Sequence, residues 1–420
     1  MQRSVEDWLS LLEQRHPTEI ELGLGRIAAV ASRMGISPGH ARVITVAGTN
    51  GKGSTCAMID ALLTAHGLRT GRYASPHLLT FHERITLTGT AINDEQLLAA
   101  FAAVEAGRGD VSLTFFEFTT LAAFWSFQQA KLDVWVVEVG LGGRLDATNI
   151  LDADVGVVTS IALDHQDWLG DDVVQIGREK AGIFRPQRLA VLGQPDGCEG
   201  VVEVAQKLGI RLLRRGRDFG LTKGTHYWHW NGVIINSQGD ELSIRMEQLT
   251  VPQLPLVNAS TALQAVLLLF PDIGRQAASQ AFAQVRLMGR MQSYQFGEAD
   301  CVVDVGHNPQ AAQYMADQLR ERQWQPDAVI LGMLSDKDVT QTASLLLTLM
   351  PKTLFLASLS VPRGRSASQL ESLIKTDVPI VTCESIAAAI EQARQHHKKL
   401  LICGSFYTVA NAIHHFQDAD

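Results

Sequence analysis

The feature that constrains the fold most is a glycine-rich turn between an apolar run and a helical stretch. Val43–Ala47 is a continuous apolar run, typical of a strand buried on both faces. It leads into Gly48-Thr49-Asn50-Gly51-Lys52-Gly53-Ser54, and Thr55–His66 has the pattern of a helix. In such a turn backbone N–H groups surround phosphate oxygens, Lys52 supplies a cation and Ser54 can reach a metal. The sequence therefore predicts a phosphate loop, although one extra residue separates lysine from serine. A plain glycine turn is the alternative.

Further apolar runs alternate with helical stretches, which predicts an α/β fold with a largely parallel sheet. Val134–Val139 and Val155–Thr159 are two of these runs. The pattern changes between about residues 211 and 258, where Trp228–Ile235 and Glu241–Ile244 predict a small antiparallel β subdomain. We expect Asn231-Gly232 to form its hairpin turn. A helix is predicted over roughly 259–270.

A second α/β series begins near residue 300 and predicts a smaller, Rossmann-like domain. Its apolar runs are Cys301–Val305, Ala328–Leu331, Thr353–Leu356 and Leu400–Cys403. We place the domain boundary within Val285–Met291. The expected organisation is a P-loop domain at 1–285, containing the β-rich segment, and a second domain at 286–420. Nucleotide sites often lie in a cleft between two such domains.

Composition excludes several classes of protein. The 420 residues carry 36 Lys+Arg against 44 Asp+Glu, a net charge of −8, which argues against a broadly basic nucleic-acid surface. The longest apolar runs, such as Val266–Phe270, are far shorter than the roughly 20 residues that span a bilayer. The segment Met1–Trp8 has no signal-peptide core, and the five scattered cysteines form no C-x-x-C motif. We therefore expect a cytoplasmic monomer with neither nucleic-acid nor membrane partners.

Polar residues where buried strands end predict a reaction site near the phosphate loop. Glu138 lies within an apolar run, where an unpaired carboxylate would cost on the order of several kcal/mol. The glycine-rich loop Gly140–Asp146 follows it, and Ser75 and His165 follow other predicted strands. Such donors suit metal and phosphate handling by Mg²⁺, and the imidazole makes Mn²⁺ possible. The alternative is a structural ion pair between Glu138 and Arg144.

Three further segments leave their roles open. Lys180 stands near Gly182 at a predicted helix end, and by itself it is a solvated surface charge. Asp304 and His307 follow a predicted strand of the second domain, and Gly404-Ser405-Phe406 follows another. Either strand end points to a bound ligand, with plain turn chemistry as the alternative.

Together these motifs resemble the folylpolyglutamate synthase family, which belongs to the Mur-type ATP-dependent amide ligases. The segments that carry the resemblance are Gly48–Ser54, Ser75–Leu78, Glu138–Asn149, Asp164-His165, Lys180–Phe184, Asp304–Pro309 and Gly404–Phe406. It extends from about residue 20 to about residue 410. Leu113–Phe118 is similar to a pterin-pocket segment of the bacterial bifunctional subgroup.

The resemblance implies a reaction. ATP phosphorylates a substrate carboxylate to an acyl phosphate, and the amine of L-glutamate then displaces phosphate to form an amide. The implied substrates are dihydropteroate, giving dihydrofolate, and tetrahydrofolate with its γ-glutamyl chain, giving folylpolyglutamates. Positioning and charge neutralisation, which dominate phosphoryl transfer, suit a phosphate loop with metal ions. Alternatives are an enzyme limited to folylpolyglutamate synthesis, another Mur-type amino-acid ligase, and a nucleotide-hydrolysing P-loop switch.

The resemblance also implies residue roles. It implies ATP contacts at Gly51, Lys52, Gly53, Ser54, Asn258, Arg290 and Asp304. It implies metal ligands at Ser54, Ser75, Glu138 and His165. It implies pteroate binding by Gly23, Leu24, Gly25, Arg26, Thr114, Phe115, Phe116, Glu117, Leu145, Asp146 and Ala147. It implies catalytic roles for Lys52, Glu138, His165, Lys180 and His307, with Lys180 carbamylated. The chain departs from the family at Met291, where the family usually has Phe.

Overall fold

A computed structural model describes residues 3–18, 20–236 and 238–418, without the side chain of Asp167. The described residues form two compact units, one ending at Arg286 and the other beginning at Leu287. Each unit combines helices with a largely parallel sheet. This architecture confirms the predicted α/β fold class.

The main sheet of the first unit is mixed. Its eight strands within the described residues are β1 (Arg42–Ala47), β2 (Thr70–Tyr73), β3 (Ile85–Leu87), β4 (Thr90–Ala91), β5 (Val134–Glu138), β6 (Val155–Val158), β7 (Leu189–Leu192) and β8 (Leu212–Arg214). Their order across the sheet is β4-β3-β2-β5-β1-β6-β7-β8. The pairs β2–β3 and β3–β4 are antiparallel and the others parallel. Strand β1 is thus central, and the phosphate-loop sequence leaves its carboxyl end.

The first unit contains ten α-helices within the described residues. They are α1 (Val5–Arg15), α2 (Gly25–Met34), α3 (Lys52–Ala65), α4 (Asp94–Arg108), α5 (Phe115–Ala130), α6 (Gln166–Leu169), α7 (Val173–Ala181), α8 (Glu199–Leu208), α9 (Leu256–Leu267) and α10 (Arg275–Gln284), with short 3₁₀ helices at Phe81–Arg84 and Ala147–Ile150. Ser4, Asn93 and Thr114 form capping boxes at α1, α4 and α5. Helix α3 begins at Lys52, three residues earlier than predicted, and α9 begins at Leu256.

The core of the first unit includes tightly packed aromatic side chains. Trp135 of β5 is buried against Phe124 and Phe127 of α5, with ring centroids 5.8 and 5.5 Å away. Burying each such ring contributes roughly 1.5–3 kcal/mol, and aromatic pairing adds about 0.5–1.5 kcal/mol. This packing fixes the C-terminal half of α5 on the sheet.

A separate antiparallel sheet confirms the predicted β-rich segment but not its turn. Its strands are β9 (Gly220–Lys223), β10 (Tyr227–Ile235) and β11 (Glu241–Thr250). The predicted Asn231-Gly232 hairpin turn is wrong, because both residues lie inside β10, opposite Arg245 and Ile244. Gly232 is needed for packing instead: a Cβ there would lie 2.2 Å from the Trp230 ring. Asn236 makes the turn, since its side chain accepts the N–H of Asp240.

The second unit contains a mixed sheet with the predicted alternation of strands and helices. Its strands are β12 (Gln292–Phe296), β13 (Ala299–Asp304), β14 (Ala328–Leu331), β15 (Thr353–Ala357), β16 (Ile380–Cys383) and β17 (Lys399–Cys403). Its helices are α11 (Pro309–Glu321), α12 (Val339–Leu347), α13 (Ala367–Leu373), α14 (Ile386–Arg394) and α15 (Phe406–Asp418). The strand order is β12-β13-β17-β14-β15-β16, with only β12 antiparallel to its neighbour among the described strands.

Across the described ranges, none of the helices combines the length and the apolar character needed to cross a bilayer.

Candidate active site

The predicted phosphate loop connects β1 directly to α3. Gly51 has φ of 86°, and a Cβ atom on it would lie 2.7 Å from the side-chain oxygen of Asn258. Lys52 Nζ donates to the carbonyl oxygens of Gly48, at 3.0 Å, and Thr49, at 3.2 Å. Ser54 is buried in the first turn of α3. The loop therefore has the glycine conformation and the helix N-terminus that anion binding requires.

Lys52, His165 and Lys180 line one pocket beside this loop. Asp164 and the glycine-rich turn 140–142 also line this pocket. Three predicted catalytic residues, distant in sequence, are thus brought to one place. The imidazole and the two amines line this pocket together with the Asp164 carboxylate.

Lys180 is buried, with only 4% of its surface exposed. Its pKa is lowered to about 7, first by burial and second by the nearby Lys52 cation, while Asp164 acts in the opposite sense. The interpretation of Lys180 as a solvated surface charge is therefore wrong. The physical cause is close packing of α7: a Cβ atom on Gly143 would lie 2.7 Å from the Lys180 carbonyl oxygen.

Glu138 ends β5 as a buried carboxylate and accepts the N–H of Ser75 at 3.3 Å. The peptide bond after Ser75 is cis. The alternative prediction, an ion pair between Glu138 and Arg144, is wrong, because Arg144 pairs with Glu179 at 3.0 Å. Two predicted metal ligands are therefore adjacent. Across the residues that the structure describes, no three His, Cys, Asp or Glu side chains cluster as a metal site.

The predicted pteroate segments meet through an ion pair and a ring contact. Arg26, in the first turn of α2, pairs with the buried Glu117 at 3.1 Å. The carboxylate of Glu117 also accepts the N–H of Thr114 at 2.8 Å. The ring of Phe116 lies against Gly140, where a Cβ atom would be 2.6 Å from it. These segments therefore adjoin the glycine-rich turn that lines the lysine pocket.

The third pteroate segment, Leu145–Ala147, is held in place by its own aspartate. Asp146 accepts the N–H of Leu141 at 2.8 Å and the hydroxyl of Thr148 at 2.6 Å. Burial raises the pKa of this carboxyl group. The Leu145 carbonyl accepts the N–H of Gly23 at 3.3 Å. Asp146 thus shapes the loop through hydrogen bonds within the protein.

The second unit brings its own predicted residues together. Asp304 accepts the N–H groups of Met291 at 2.8 Å and Gly306 at 2.7 Å. Burial raises the pKa of Asp304, against the opposing effect of Arg290. Arg290 lies over the Phe406 ring, 5.3 Å from its centroid, and His307 is also close to this ring. Met291, where the family usually has Phe, is buried with φ of 45°.

Sequence reasoning missed Arg84, which joins two predicted segments. Its guanidinium lies 5.4 Å from the ring centroids of Phe81 and Phe115, and its Nε donates to His77 Nδ1 at 2.9 Å. Burial and the Arg84 cation lower the pKa of His77 to about 4, so this imidazole is neutral at neutral pH. The position of Arg84 between the apolar residues Phe81 and Ile85 is the sequence feature that could have indicated its burial.

The chain matches two family models and has a similar relative of known name. Residues 46–269 match the family model described as the Mur ligase middle domain, and residues 289–406 match the Mur ligase, glutamate ligase domain. A dihydrofolate synthase/folylpolyglutamate synthase of Escherichia coli K12 is 42% identical over 97% of this chain and 94% of its own length. The chain belongs to the dihydrofolate synthase/folylpolyglutamate synthase family of Mur ligases. This membership confirms the resemblance, and the predicted ligase function with it.

Solved structures of this Mur ligase family have the same fold. Escherichia coli FolC in complex with DHPP and ADP superimposes with a TM-score of 0.91 at 41% identity, covering 99% of this chain and 98% of that one. A bifunctional folylpolyglutamate synthase/dihydrofolate synthase with Mn, AMPPNP and L-glutamate bound gives 0.88 at 41% identity, covering 98% of each chain. At this similarity, the two-unit fold described above is that of the family.

Proposed function

We propose that this chain ligates L-glutamate to dihydropteroate and to the γ-glutamyl chain of tetrahydrofolate, using ATP. In the first step, a substrate carboxylate oxygen attacks the γ-phosphorus of ATP and ADP leaves. In the second, the glutamate nitrogen attacks the acyl carbon, the single bond from this carbon to the phosphate oxygen breaks, phosphate leaves with its electron pair, and the amine loses a proton. The observation that carries the proposal is the pocket shared by Lys52, His165 and Lys180.

The phosphate loop is suited to the triphosphate. Gly51–Ser54 would hold it with backbone N–H groups, and Lys52 would neutralise the charge that develops during transfer. The Asn258 side chain packs on Gly51, which supports its proposed role as a nucleotide contact. The roles of Arg290 and Asp304 as nucleotide contacts, and of His307 as a catalytic residue, stay predictions from the family.

The donor set fits a divalent cation. Ser54, Ser75, Glu138 and His165 offer two hydroxyls, a carboxylate and an imidazole, and Glu138 and Ser75 are in contact. Mg²⁺ needs few protein ligands, because phosphate oxygens and waters complete its shell. The imidazole is compatible with Mn²⁺, which a relative binds with AMPPNP. The bound ion would neutralise phosphate charge, while these side chains orient it.

Lys180 is suited to carbamylation. A neutral lysine amine adds to CO₂: an N–C bond forms as one C–O π bond opens, a proton is released, and the neutral amine becomes an anionic carbamate. The pKa of about 7 makes much of this amine neutral near pH 7, unlike an ordinary lysine. A carbamate there would replace repulsion with attraction toward Lys52, and it would lie on the pocket wall with His165.

The test is ATP-dependent phosphate release in three reactions. One contains dihydropteroate and glutamate, one tetrahydrofolate and glutamate, and one ATP alone. The proposal expects release in the first two and little in the third. Release only with tetrahydrofolate would indicate a folylpolyglutamate synthase without the dihydropteroate step. Release without any acceptor would indicate a nucleotide-hydrolysing switch.

A further inference from the structure

A chain of polar side chains beside the pteroate segments has no role in the function proposed above. His16 follows α1, and 7% of its side chain is exposed. Its Nε2 lies 2.8 Å from Glu21 Oε2, and its Nδ1 lies 2.8 Å from the Ser112 hydroxyl. Because an ionised carboxylate only accepts hydrogen bonds, Nε2 donates to Glu21. The ring therefore ties Glu21 to a segment almost one hundred residues away.

Glu21 in turn holds Arg26. Its carboxylate pairs with Arg26 Nη1, and its carbonyl oxygen accepts from Nη2 at 3.1 Å. The hydrogen bond from His16 lowers the pKa of Glu21, so this carboxylate stays charged at neutral pH. The guanidinium also meets Glu117, with Nη2 3.1 Å from Oε1 and Nε 3.4 Å from Oε2. Arg26 is thus clamped between two carboxylates.

This clamp sets the relation between two helix starts. Arg26 lies in the first turn of α2, and Glu117 forms the capping box of α5 with Thr114. Both starts belong to the predicted pteroate segments. Most donors of the guanidinium are already used within the protein, so its orientation depends on the groups that accept from it. A planar fork is sensitive to the loss of either partner.

We infer that His16 and Glu21 are positioning residues for the pterin substrate. They hold Arg26 against Glu117 and thereby set the spacing of the pteroate segments. This inference rests on the proposed function, because it deepens the pteroate site. It assigns no contact with the substrate to either residue.

The test is Glu21→Gln, which keeps the size of the side chain but removes its charge. We expect the Kd for dihydropteroate, measured by titration calorimetry, to rise about tenfold, which corresponds to about 1.4 kcal/mol. The KM for tetrahydrofolate should rise similarly, while kcat and the KM for ATP stay within about twofold. The matched control is Glu241→Gln, which removes an exposed carboxylate paired with Arg211, and it should change none of these values.

A double-mutant cycle with Arg26→Lys separates positioning from direct contact. In that background Glu21→Gln should change the Kd by less than about twofold, because the fork is already lost. An unchanged Kd in the single variant, or an equal loss in both backgrounds, would overturn the inference. If Glu21→Gln does not fold, His16→Ala provides a second test, in which the Kd for dihydropteroate should also rise. A wild-type chain that binds no pterin substrate would overturn the proposed function itself, and this inference with it.

Discussion

Gly51 packs so closely on Asn258 that a Cβ atom on the glycine would lie 2.7 Å from the asparagine oxygen. Its φ of 86° also disfavours any side chain. The phosphate loop and α9 are therefore in close contact, although they are far apart in the sequence. The shape of the loop depends on this contact as well as on its glycines.

Replacing Gly51 with alanine separates the contact from the backbone conformation. Gly67 has a φ of 90° but open space where a Cβ would stand, so Gly67→Ala is a matched control. Both variants should lose about 1–2 kcal/mol of unfolding free energy through backbone strain. Only Gly51→Ala should also raise the KM for ATP, by about tenfold or more. Equal ATP kinetics in the two variants would contradict a nucleotide role for this contact.

Lys52→Ala removes the cation that would neutralise the transferring phosphoryl group. Turnover should fall by about 10³ or more, the scale expected for a lost charge-stabilising group. Steady-state kinetics on protein with a native circular dichroism spectrum gives the measurement. A folded variant that turns over near the wild-type rate would rule out this assignment.

Glu138→Gln keeps an oxygen that can accept the Ser75 N–H, but it removes the charge. We expect magnesium-dependent turnover to be abolished while the melting temperature stays within a few degrees. Glu203→Gln is the control, since Glu203 forms an exposed ion pair with Arg178. A large drop in melting temperature with activity retained per folded molecule would instead indicate a structural role for Glu138.

The buried amine of Lys180 predicts a pH dependence of stability. Its pKa falls from 10.5 to about 7 in the folded state, so between these values the unfolded chain binds more protons than the folded one. In CO₂-free buffer, unfolding free energy from this group should therefore rise as pH rises from about 7 to about 10.5. Lys180→Met should remove that rise. Identical pH profiles of denaturant unfolding would contradict the buried, neutral amine.

Carbamylation of Lys180 predicts chemical rescue. Lys180→Ala should lose activity and regain part of it with a short carboxylic acid, which can supply the missing anion. A solvated lysine would change stability by only about 0.5 kcal/mol and leave turnover alone. The wild-type rate should also depend on bicarbonate. An inactive variant that no carboxylic acid rescues, together with bicarbonate-independent wild-type turnover, would exclude the carbamate.

Local patterns predicted the three adjacent strands β5, β1 and β6 and the loop that follows β1, but they did not set the bounds of β2 and did not predict β7 or β8. Val43–Ala47 and Val155–Thr159 are largely apolar because parallel strands are covered on both faces, so a short window suffices to find them. The loop is equally local, since its glycines, lysine and serine are contiguous. The family was found from such contiguous motifs, and the comparisons bear it out.

Features set by distant contacts could not be predicted from local sequence. Asn231-Gly232 has the composition of a hairpin turn, yet Gly232 is a glycine because the Trp230 ring occupies the space of a side chain. The burial of Lys180 depends on Gly143, which lets α7 approach the glycine-rich loop. The contact of Arg84 with Phe115 likewise depends on tertiary packing. Each of these features becomes visible only in the folded structure.

In the proposed reaction, ATP activates the substrate as an acyl phosphate before glutamate attacks. Dihydropteroate labelled with ¹⁸O in its carboxylate tests this directly, by mass spectrometry of the inorganic phosphate formed. An acyl-phosphate intermediate predicts one ¹⁸O atom in phosphate for each amide made, with ADP as the nucleotide product. Amide formation accompanied by unlabelled phosphate, or by AMP, would contradict it.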